Sequence, residues 1–402
     1  MVTTFYPPFH TGGDAIFVQT LARALHRAGH DVEVVHCEDA FRVCNVHVPE
    51  AQQGGDDGII VHRLRHPLGP LSPLYTQQTG RPGLKQHALK AILERSFDVI
   101  HFHNISLVGG PGVLGMGQAR TRLYTLHDFW LLCPTHILWK NRQRACDKPT
   151  CGTCSIRSGV PPQLWRLSNL TARELQHVDL LLAPSEFCAR RHREAGITRP
   201  MAVLPNFSRF APSSAFDGAI PEPPRFLFVG RVIAAKGISR LVDVFAQLPQ
   251  YDLWVAGEGD ELHALVTRCR SLANIRFLGR VEAAQLPALY GAATATIIPS
   301  LAPEVLALVM LESFAHGTPV IALDTGGCGE TMRATGAGIV CRDMEELAGA
   351  IHRLAMDRKL GHELGSLGRK AYLERYTEQV HVAAYLSHVE SLLAVGASRE
   401  SA

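Results

Sequence analysis

Residues 294–323, TATIIPSLAPEVLALVMLESFAHGTPVIAL, contain a complete strand–helix–strand pattern. The apolar runs at 294–298 and 320–323 predict two strands. A helix is predicted between them from about Leu308, ending at His316-Gly317 with Pro319 just beyond. Apolar β-rich runs alternate with amphipathic helical runs through most of the chain, which is typical of an α/β protein with parallel sheets covered on both faces.

Further strands are predicted on the amino-terminal side of this stretch. They lie at residues 2–4, 31–36, 59–64, 98–103, 123–126, 180–183, 201–204, 226–229, 252–256 and 275–278. The first is short for a strand, because Pro7-Pro8 follows closely. A helix is predicted after it, with apolar residues on one face from Ile16 to Ala28 and a carboxy-terminal cap at Gly29.

The length of 402 residues predicts two domains, and with 46% hydrophobic residues each can bury a sizeable core. We expect one domain over residues 1–205, with a cysteine-rich insert at about 129–160, and a second over 225–379. Residues 206–224 are rich in Pro, Ser, Ala and Gly and are predicted to be the linker. The helix and tail at 380–402 could pack on either domain.

The net charge of +3 argues against a dedicated nucleic-acid-binding protein. Residues 1–205 hold 22 Lys and Arg against 16 Asp and Glu, a net +6, so the remainder carries −3. A basic first half suits an anionic acceptor or a membrane surface, or it is an ordinary solvated face. The sequence begins without a visible signal peptide and has no run typical of a membrane span, so we expect a cytoplasmic protein, with peripheral contact at the inner membrane face left open.

Candidate ligand-binding residues follow the strands of the second half, since ligands of open α/β sheets bind beyond the carboxyl ends of the strands. Glycine, which lets a backbone approach a ligand closely, follows the strands at Gly230, Gly257 and Gly279. Arg231 and Lys236 follow one strand end, and such a pair suits a diphosphate. The alternative is two ordinary surface cations.

Two carboxylates mark the helix that begins near Leu308. Glu304 lies in the loop before this helix and Glu312 lies within it. Carboxylates accept hydrogen bonds from vicinal hydroxyls of a ribose or hexose, and the N–H groups at a helix start can meet a hydroxyl or phosphate. The helix dipole would also favour acidic residues there without any ligand. In the first half, Gly12 and Gly13 predict a flexible loop with free N–H groups at an interdomain cleft, although no dinucleotide-binding fingerprint is present.

Together these motifs resemble the retaining GT-B glycosyltransferases of glycosyltransferase family 4 over nearly the whole chain. The matching segments, in order, are 12–13, 29–32, 126–128, 229–231, 236–237, 257–259, 277–281, the spacing from Glu304 to Glu312, 317–321, 326–327 and Glu330. The resemblance implies two Rossmann-like domains facing a cleft, with the acceptor on the first domain and a nucleotide sugar, most simply a UDP- or GDP-sugar, on the second. It also implies transfer with retention of configuration and without a catalytic metal or other cofactor.

The resemblance further implies a role for individual residues. Arg231 and Lys236, beside Gly230, would hold the donor diphosphate and stabilise the leaving group, while Glu304 would contact the transferred sugar. The other implied contacts are His127 beside the reacting sugar, Glu312 at the ribose, Val281 near the base, Gly12 and Gly13 over the diphosphate, and the backbone of Leu306, Ala307 and Leu308 near the sugar.

One departure from the family pattern concerns the sugar pocket. Family members usually have Phe-Gly where this chain has Leu306-Ala307. The alanine methyl could narrow the pocket or select a different sugar, which bears on donor identity rather than on activity.

The predicted function is a retaining glycosyltransferase in glycan, polysaccharide or glycoconjugate biosynthesis, with an unidentified acceptor that could be anionic or lipid-linked. The alternatives are a non-catalytic GT-B subunit that binds a nucleotide sugar, a sugar-nucleotide epimerase, and an oxidoreductase with a metal–sulfur centre. The presence of Arg231, Lys236, Glu304 and Glu312 together argues against the first, and the Glu304–Glu312 spacing argues against the second. The missing dinucleotide fingerprint argues against the third.

Four cysteines lie close together in the insert, at positions Cys133, Cys146, Cys151 and Cys154. Their spacing predicts a structural zinc site, which would compensate the entropy of ordering a polar, basic loop. An iron–sulfur cluster is the second interpretation, because C-x₄-C-x₂-C also begins a plant-type cluster motif. Free or disulfide-paired thiols in a mobile loop are the third.

Overall fold

The computed structural model describes residues 1–10, 12–44, 56–210 and 221–400 of the chain. The chain divides into two compact units. Unit 1 comprises Met1–His136, Thr150–Pro205 and the segment from Glu378 onward, and unit 2 comprises Ile137–Pro149 and Asn206–Thr377. Of the predicted linker, residues 211–220 lie outside the described residues.

The strands of the described residues are short and mostly buried. In chain order they are β1 Glu33–Cys37, β2 Ile60–Leu64, β3 Phe97–Phe102, β4 Ala119–Thr125, β5 Trp139–Lys140, β6 Arg144–Ala145, β7 Leu180–Ala183, β8 Met201–Val203, β9 Arg225–Val229, β10 Asp252–Ala256, β11 Ile275–Gly279, β12 Ala295–Ile298, β13 Val320–Leu323 and β14 Gly338–Cys341.

The α-helices alternate with these strands. They are α1 Gly13–Arg27, α2 Glu38–Cys44, α3 Leu71–Thr79, α4 Gln86–Leu93, α5 Cys151–Arg157, α6 Leu170–Glu174, α7 Glu186–Glu194, α8 Ile238–Ala246, α9 Leu262–Arg268, α10 Leu286–Gly291, α11 Leu308–Ala315, α12 Gly327–Thr335, α13 Met344–Met356, α14 Arg358–Arg375 and α15 Glu378–Glu400. Short 3₁₀ turns occur at Gly83–Lys85, Pro111–Val113, Leu164–Leu167, Leu175–His177, Ala234–Lys236 and Ala283–Gln285. In the described part of the chain, no helix combines the length and apolar character that a membrane span needs.

Unit 1 is built on parallel pairing. One sheet has the order β3-β4-β7-β8, and β1 pairs with β2. The predicted first strand is reduced to Val2, which forms parallel bridges to Val35 in β1 and Phe102 in β3. Val2 N–H donates to the carbonyl of His101 at 2.8 Å, so this one residue joins the two sheets at the place where the sequence predicted a strand.

Unit 2 contains one parallel sheet of six strands with the order β11-β10-β9-β12-β13-β14. One large apolar cluster includes Phe226, Phe245 and Leu253, and a second includes Met310 and Phe314. Helices therefore bury apolar surface against this sheet, as the alternation of apolar runs predicted. The carboxyl ends of all six strands lie at one edge, where the predicted ligand-binding residues follow.

Several predicted elements agree with the structure to within a few residues. Helix α1 is confirmed, and Gly29 after it has a φ of +92°. Helix α11 begins at Leu308 as predicted. The carboxy-terminal helix α15 belongs to unit 1, which decides between the two packing options. Strand β14 and the β5–β6 hairpin were not predicted.

A fully buried histidine in unit 1 makes its stability depend on pH. His36 lies 6.0 Å, between ring centroids, from both Tyr6 and Phe9, and neither of its ring nitrogens has a partner among the described residues. Burial, with the nearby charge of Arg63, lowers the pKa of His36 to about 3. The unfolded chain, with a histidine pKa of about 6.5, therefore binds a proton first, and stability is lost as the pH falls from about 6.5 toward 3.

We expect His36→Phe to remove this dependence, because a phenyl ring fills the same apolar site and cannot be protonated. Relative to the wild type, the free energy of unfolding of the variant should rise by about 2 kcal/mol between about pH 7.5 and about pH 5. Urea unfolding at the two pH values measures this. The same substitution at the exposed His30 is the control; an equal pH effect there, or none at His36, would contradict the assignment.

Candidate active site

The loops after the central strands of unit 2 are held together by their backbones. Gly230 N–H donates to Ala256 O at 3.0 Å, and Gly257 N–H donates to Gly279 O at 2.7 Å. A Cβ at Gly257 would lie 1.8 Å from Gly230 O, which is far inside van der Waals contact. Glycine is required at this position because the neighbouring loop passes so close, and not only because of its positive φ of +151°.

The loop after β9 carries the two predicted phosphate ligands. Arg231 is exposed at its start, and Lys236 ends the 3₁₀ turn Ala234–Lys236. Gly237 follows with a φ of +71°, and a Cβ there would lie 2.0 Å from Pro299 O. The backbone N–H groups of residues 301 and 302 donate to Ala235 O at 2.9 and 3.1 Å. The loop after β12, which leads to Glu304, is thereby fixed beside Lys236.

Glu304 forms an ion pair with Lys236 and accepts a hydrogen bond from Ser300 Oγ at 2.6 Å. Burial alone would raise the pKa of Glu304, but the charge of Lys236, the hydrogen bonds and the charge of Arg231 outweigh burial and lower it. The backbone of Glu304 is also fixed, because its carbonyl accepts from Gly327 N–H at 2.7 Å. The structure therefore brings Arg231, Lys236 and Glu304 into one charged group.

Glu312 has a different set of partners. Tyr290 Oη donates to its Oε2 at 2.6 Å, and Arg209 Nε lies 3.8 Å from its Oε1. Burial raises the pKa of Glu312, although Tyr290 and Arg209 oppose the shift. Val281 packs on the apolar cluster that contains Tyr290. Glu312 and Val281, predicted at the ribose and base, are thus connected through Tyr290.

The predicted sugar-contacting backbone forms the start of α11. Leu306 is buried, and Ala307 precedes the helix in an extended conformation without a side-chain hydrogen bond to the helix start. Helix α11 begins at Leu308. Ala307 has no side-chain acceptor for the first N–H groups of the helix, and the predicted contact with a hydroxyl needs those groups.

In unit 1, the start of α1 lies beside His127. Gly12 precedes the helix without a side-chain cap, and Gly13 is its first residue. The ring of Phe17 in this helix meets the ring of His127 edge to face, with 5.4 Å between centroids. Burial lowers the pKa of His127, and the charges of Asp14 and Asp128 oppose this. The structure therefore places the Gly12-Gly13 turn near the histidine predicted to contact the sugar.

His127 is paired with a second histidine that the sequence analysis missed. His103 Nδ1 lies 2.8 Å from His127 Nε2. Burial lowers the pKa of His103 well below its usual value, and the positive charges of neighbouring histidines would lower it further. The other nitrogens, His103 Nε2 and His127 Nδ1, have no hydrogen-bond partner among the described residues. When both rings are neutral, one of these two nitrogens is an N–H hydrogen-bond donor and the other is a hydrogen-bond acceptor.

The zinc site predicted from the insert is not supported. Cys133, Cys151 and Cys154 belong to unit 1, whereas Cys146 belongs to the Ile137–Pro149 segment of unit 2. Among the described residues, no three or more His, Cys, Asp or Glu side chains form a group that could hold a metal ion. The same finding leaves the iron–sulfur interpretation without a ligand group.

The insert is instead ordered by aromatic packing, which the prediction overlooked. The guanidinium of Arg166 lies 5.1 Å from the ring centroid of Trp130 and 4.7 Å from that of Trp165. Arg166 also donates to Trp130 O at 2.7 Å. Burial, followed by the charge of the neighbouring Cys133 sulfur, raises the pKa of Cys151, which favours the thiol form of this one residue.

The partners Ser300, Tyr290, Arg209 and His103 were not predicted as site residues. Ser300 lies two residues after the end of a strand, so its position at the ligand-binding edge was a usable signal. The HFHN sequence at 101–104 places two histidines on alternate positions of a strand end, which was a second signal. Tyr290 and Arg209 reach Glu312 only through tertiary packing, and their local sequence carries no such signal.

Two family models match the chain. The model described as glycosyltransferase family 4 matches residues 11–207, and the model described as glycosyl transferases group 1 matches residues 212–371. Glycogen synthase of Mycobacterium tuberculosis is 30% identical over 374 residues, which cover 89% of this chain and 86% of that protein. A lipopolysaccharide core biosynthesis glycosyltransferase, LpsE of Rhizobium meliloti, is 29% identical over 225 residues, 54% of this chain and 65% of LpsE.

A solved structure of Anabaena HepE in complex with UDP-glucose resembles the whole fold. It superposes with a TM-score of 0.66 at 19% identity and covers 97% of this chain and 99% of that chain. Both units contain parallel sheets, and the fold is the GT-B fold of two Rossmann-like domains.

We expect Gly237→Ala to destabilise unit 2 much more than a positive φ alone explains, because its Cβ would meet Pro299 O at 2.0 Å. Gly336→Ala is the matched control, since Gly336 has a φ of +65° but its Cβ would make only an ordinary contact at 3.5 Å. The control should lose about 1–2 kcal/mol of unfolding free energy. Urea unfolding should give more than twice that loss for Gly237→Ala, and equal losses would contradict the close approach.

Proposed function

The chain belongs to the group 1 glycosyltransferases of glycosyltransferase family 4, and from this we propose that it transfers a sugar from a nucleotide-diphosphate sugar with retention of anomeric configuration. The single observation that best supports the proposal is the charged group of Arg231, Lys236 and Glu304 at the strand ends of unit 2. A diphosphate and a sugar hydroxyl need cations and a carboxylate side by side, and this group offers both.

The proposed chemistry uses the two cations on the leaving group. As the bond between the anomeric carbon and the diphosphate oxygen breaks, negative charge builds on the diphosphate. Fixed cations aimed at this charge are worth about 2.7–4 kcal/mol each, or about 10²–10³ in rate. The acceptor hydroxyl attacks from the face that the diphosphate leaves, and its proton passes to the departing phosphate.

The Lys236–Glu304 ion pair keeps both side chains in place before the donor binds. We propose that the diphosphate then takes Lys236 as its partner and leaves Glu304 available to a hydroxyl of the sugar. The pKa of Glu304 is lowered, so it is ionised and can only accept hydrogen bonds at neutral pH. Glu312, with Val281 nearby through the Tyr290 cluster, is proposed to bind the nucleoside.

The donor and acceptor classes are proposed from the relatives. HepE was solved with UDP-glucose, so we propose a UDP-sugar, with a GDP-sugar as the alternative. LpsE and glycogen synthase favour a growing glycan as the acceptor, either a polysaccharide or a lipid-linked core. Ten irregularly spaced cysteines in a chain of this length suit a reducing compartment, so we propose a cytoplasmic location. His127 is proposed as the sugar contact of unit 1.

A donor screen tests the proposal. Nucleotide release from UDP-, GDP-, ADP- and dTDP-sugars is followed by mass spectrometry, and the anomeric configuration of the product by NMR. We expect one nucleotide class to be turned over and the product to retain the configuration of the donor. Tight nucleotide binding without turnover of any donor would instead favour a non-catalytic binding subunit, and an inverted product would contradict retention.

Arg231→Ala and Lys236→Ala should each lower kcat for the identified donor by about two orders of magnitude, because each removes one cation from the leaving group. Unfolding midpoints should change little for the exposed Arg231. Arg240→Ala, an exposed cation on the neighbouring helix α8, is the matched control and should keep wild-type kcat. Wild-type turnover in either test variant would remove that residue from the phosphate site.

Glu304→Gln and Glu312→Ala should separate sugar contact from nucleotide contact. Glu304→Gln should lose turnover and discrimination between sugars, while binding of free UDP or GDP stays near the wild type. Glu312→Ala should weaken free nucleotide binding, since one ribose contact is worth about 1.5–3 kcal/mol, or about 10- to 100-fold. Isothermal titration with free nucleotide measures this, and equal losses in the two variants would refute the division.

A further inference from the structure

The segment Ile137–Pro149 lies between two parts of unit 1 in the sequence but belongs to unit 2. It forms the antiparallel β5–β6 hairpin, in which Trp139 pairs with Ala145. Gln143 N–H donates to Lys140 O at 3.0 Å across the turn. The two central residues, Asn141 and Arg142, have φ values of +54° and +60°, as in a type I′ turn. This hairpin has no role in the function proposed above.

The hairpin is anchored through Trp139. The indole is 6% exposed and forms a small apolar cluster with Ala235 and Ala302. Ala235 directly precedes Lys236, and Ala302 lies two residues before Glu304. The partly buried side chains packed against this cluster come from the same three segments and are Ile137, Ile233 and Leu301. Trp139 therefore contacts both loops that carry the central ion pair of the candidate site.

The tip of the hairpin reaches a third strand-end loop. The guanidinium of Arg142 lies 3.3 Å from the carboxylate of Asp260, which is in the loop after β10. Both side chains are largely exposed, so this pair adds little stability. It does show where the hairpin lies: along the edge of the sheet formed by the ends of β9, β10 and β12.

The hairpin holds residues with side chains in the left-handed region of backbone conformation. Leu138 is buried and has a φ of +49°, and Arg142 occupies a left-handed position that usually takes glycine. Such conformations cost roughly 1–2 kcal/mol each for residues with a side chain. They persist only where surrounding contacts enforce them, and they concentrate at functional sites.

We propose that the hairpin is a positioning element of the donor site, and that Trp139 is a positioning residue for Lys236 and Glu304. The inference rests on the function proposed above, since it assigns the ion pair to the donor. By filling the space beside Ala235 and Ala302, the indole fixes the separation of the two loops. Without it, the loops relax and the lysine and carboxylate leave the geometry that the diphosphate and sugar require.

Three variants test the proposal. Trp139→Ala removes the indole, and Trp139→Phe keeps an apolar ring. Leu354→Ala, in the buried core on α13, is the stability control, because truncation of a buried leucine costs about 2–5 kcal/mol and Leu354 lies on a helix outside these two loops. All are measured below their unfolding midpoints, so that each protein is folded.

The first measurement is kcat for the nucleotide sugar identified in the screen, in single variants and combined with Lys236→Ala. Trp139→Ala should lower kcat about 10- to 100-fold, as a small misplacement of a catalytic group does. It should add little further loss to Lys236→Ala, because both changes remove the same interaction. Trp139→Phe should recover most of the activity, and Leu354→Ala should keep it. Independent losses in the double variant, or an equal loss in Leu354→Ala, would overturn the proposal.

The second measurement needs no donor. Lys236 in the free protein is acylated with N-hydroxysuccinimidyl acetate, and the extent of labelling is followed by peptide mass spectrometry. Trp139→Ala should accelerate labelling of Lys236 several-fold over the wild type, while Leu354→Ala leaves it unchanged. Unchanged labelling in Trp139→Ala would refute the positioning role. A labelling change in a protein that turns over no nucleotide sugar would refute the proposed function and leave the positioning intact.

Discussion

A carboxylate with little access to water needs a nearby cation, and Glu304 obtains one from a different loop of the sheet. Its side chain is 16% exposed and its partner Lys236 is 27% exposed, so both depend on the pair. An unpaired charge here would be costly, and the two loops must therefore stay together. The close approach of Gly237 to Pro299 and the hydrogen bond from Ser300 serve this requirement.

The central features of unit 2 could be predicted because they depend on short-range pattern. A parallel sheet places every strand end at one edge, so Arg231, Lys236 and Glu304 could be grouped from their positions after strands. Tyr290 could not be grouped with Glu312 in the same way, because one comes from α10 and the other from α11. Strand β14 was missed because its GIVC segment is short and lies between a glycine cap and a polar turn.

The insert shows where local pattern misleads. Four cysteines at close spacing indicated a metal site that would compensate the entropy of ordering a polar, basic loop. Among the described residues, large aromatic side chains make the packing contacts instead. Trp130 and Trp165 stack with Arg166 in unit 1, and Trp139 packs in an apolar cluster of unit 2. One tryptophan can bury a large apolar surface, which a count of residue types does not show. The assignment of one stretch of the insert to unit 2 could not have been read from sequence, because it depends on which loops the indole meets.

The candidate site residues of the two units lie in opposite electrostatic environments. In unit 2, burial is balanced by charge, and the pKa of Glu304 is lowered by Lys236 despite burial. In unit 1, burial acts on histidines and lowers the pKa of His103 and His127, so both rings are neutral near pH 7. A neutral imidazole can donate or accept a hydrogen bond but offers no charge to a phosphate. The excess positive charge of residues 1–205 was counted from Lys and Arg against Asp and Glu alone, so an anionic ligand attracted by it would meet those arginines and lysines. A neutral His103–His127 pair therefore suits the recognition of uncharged hydroxyls, in keeping with the proposed sugar contact of His127.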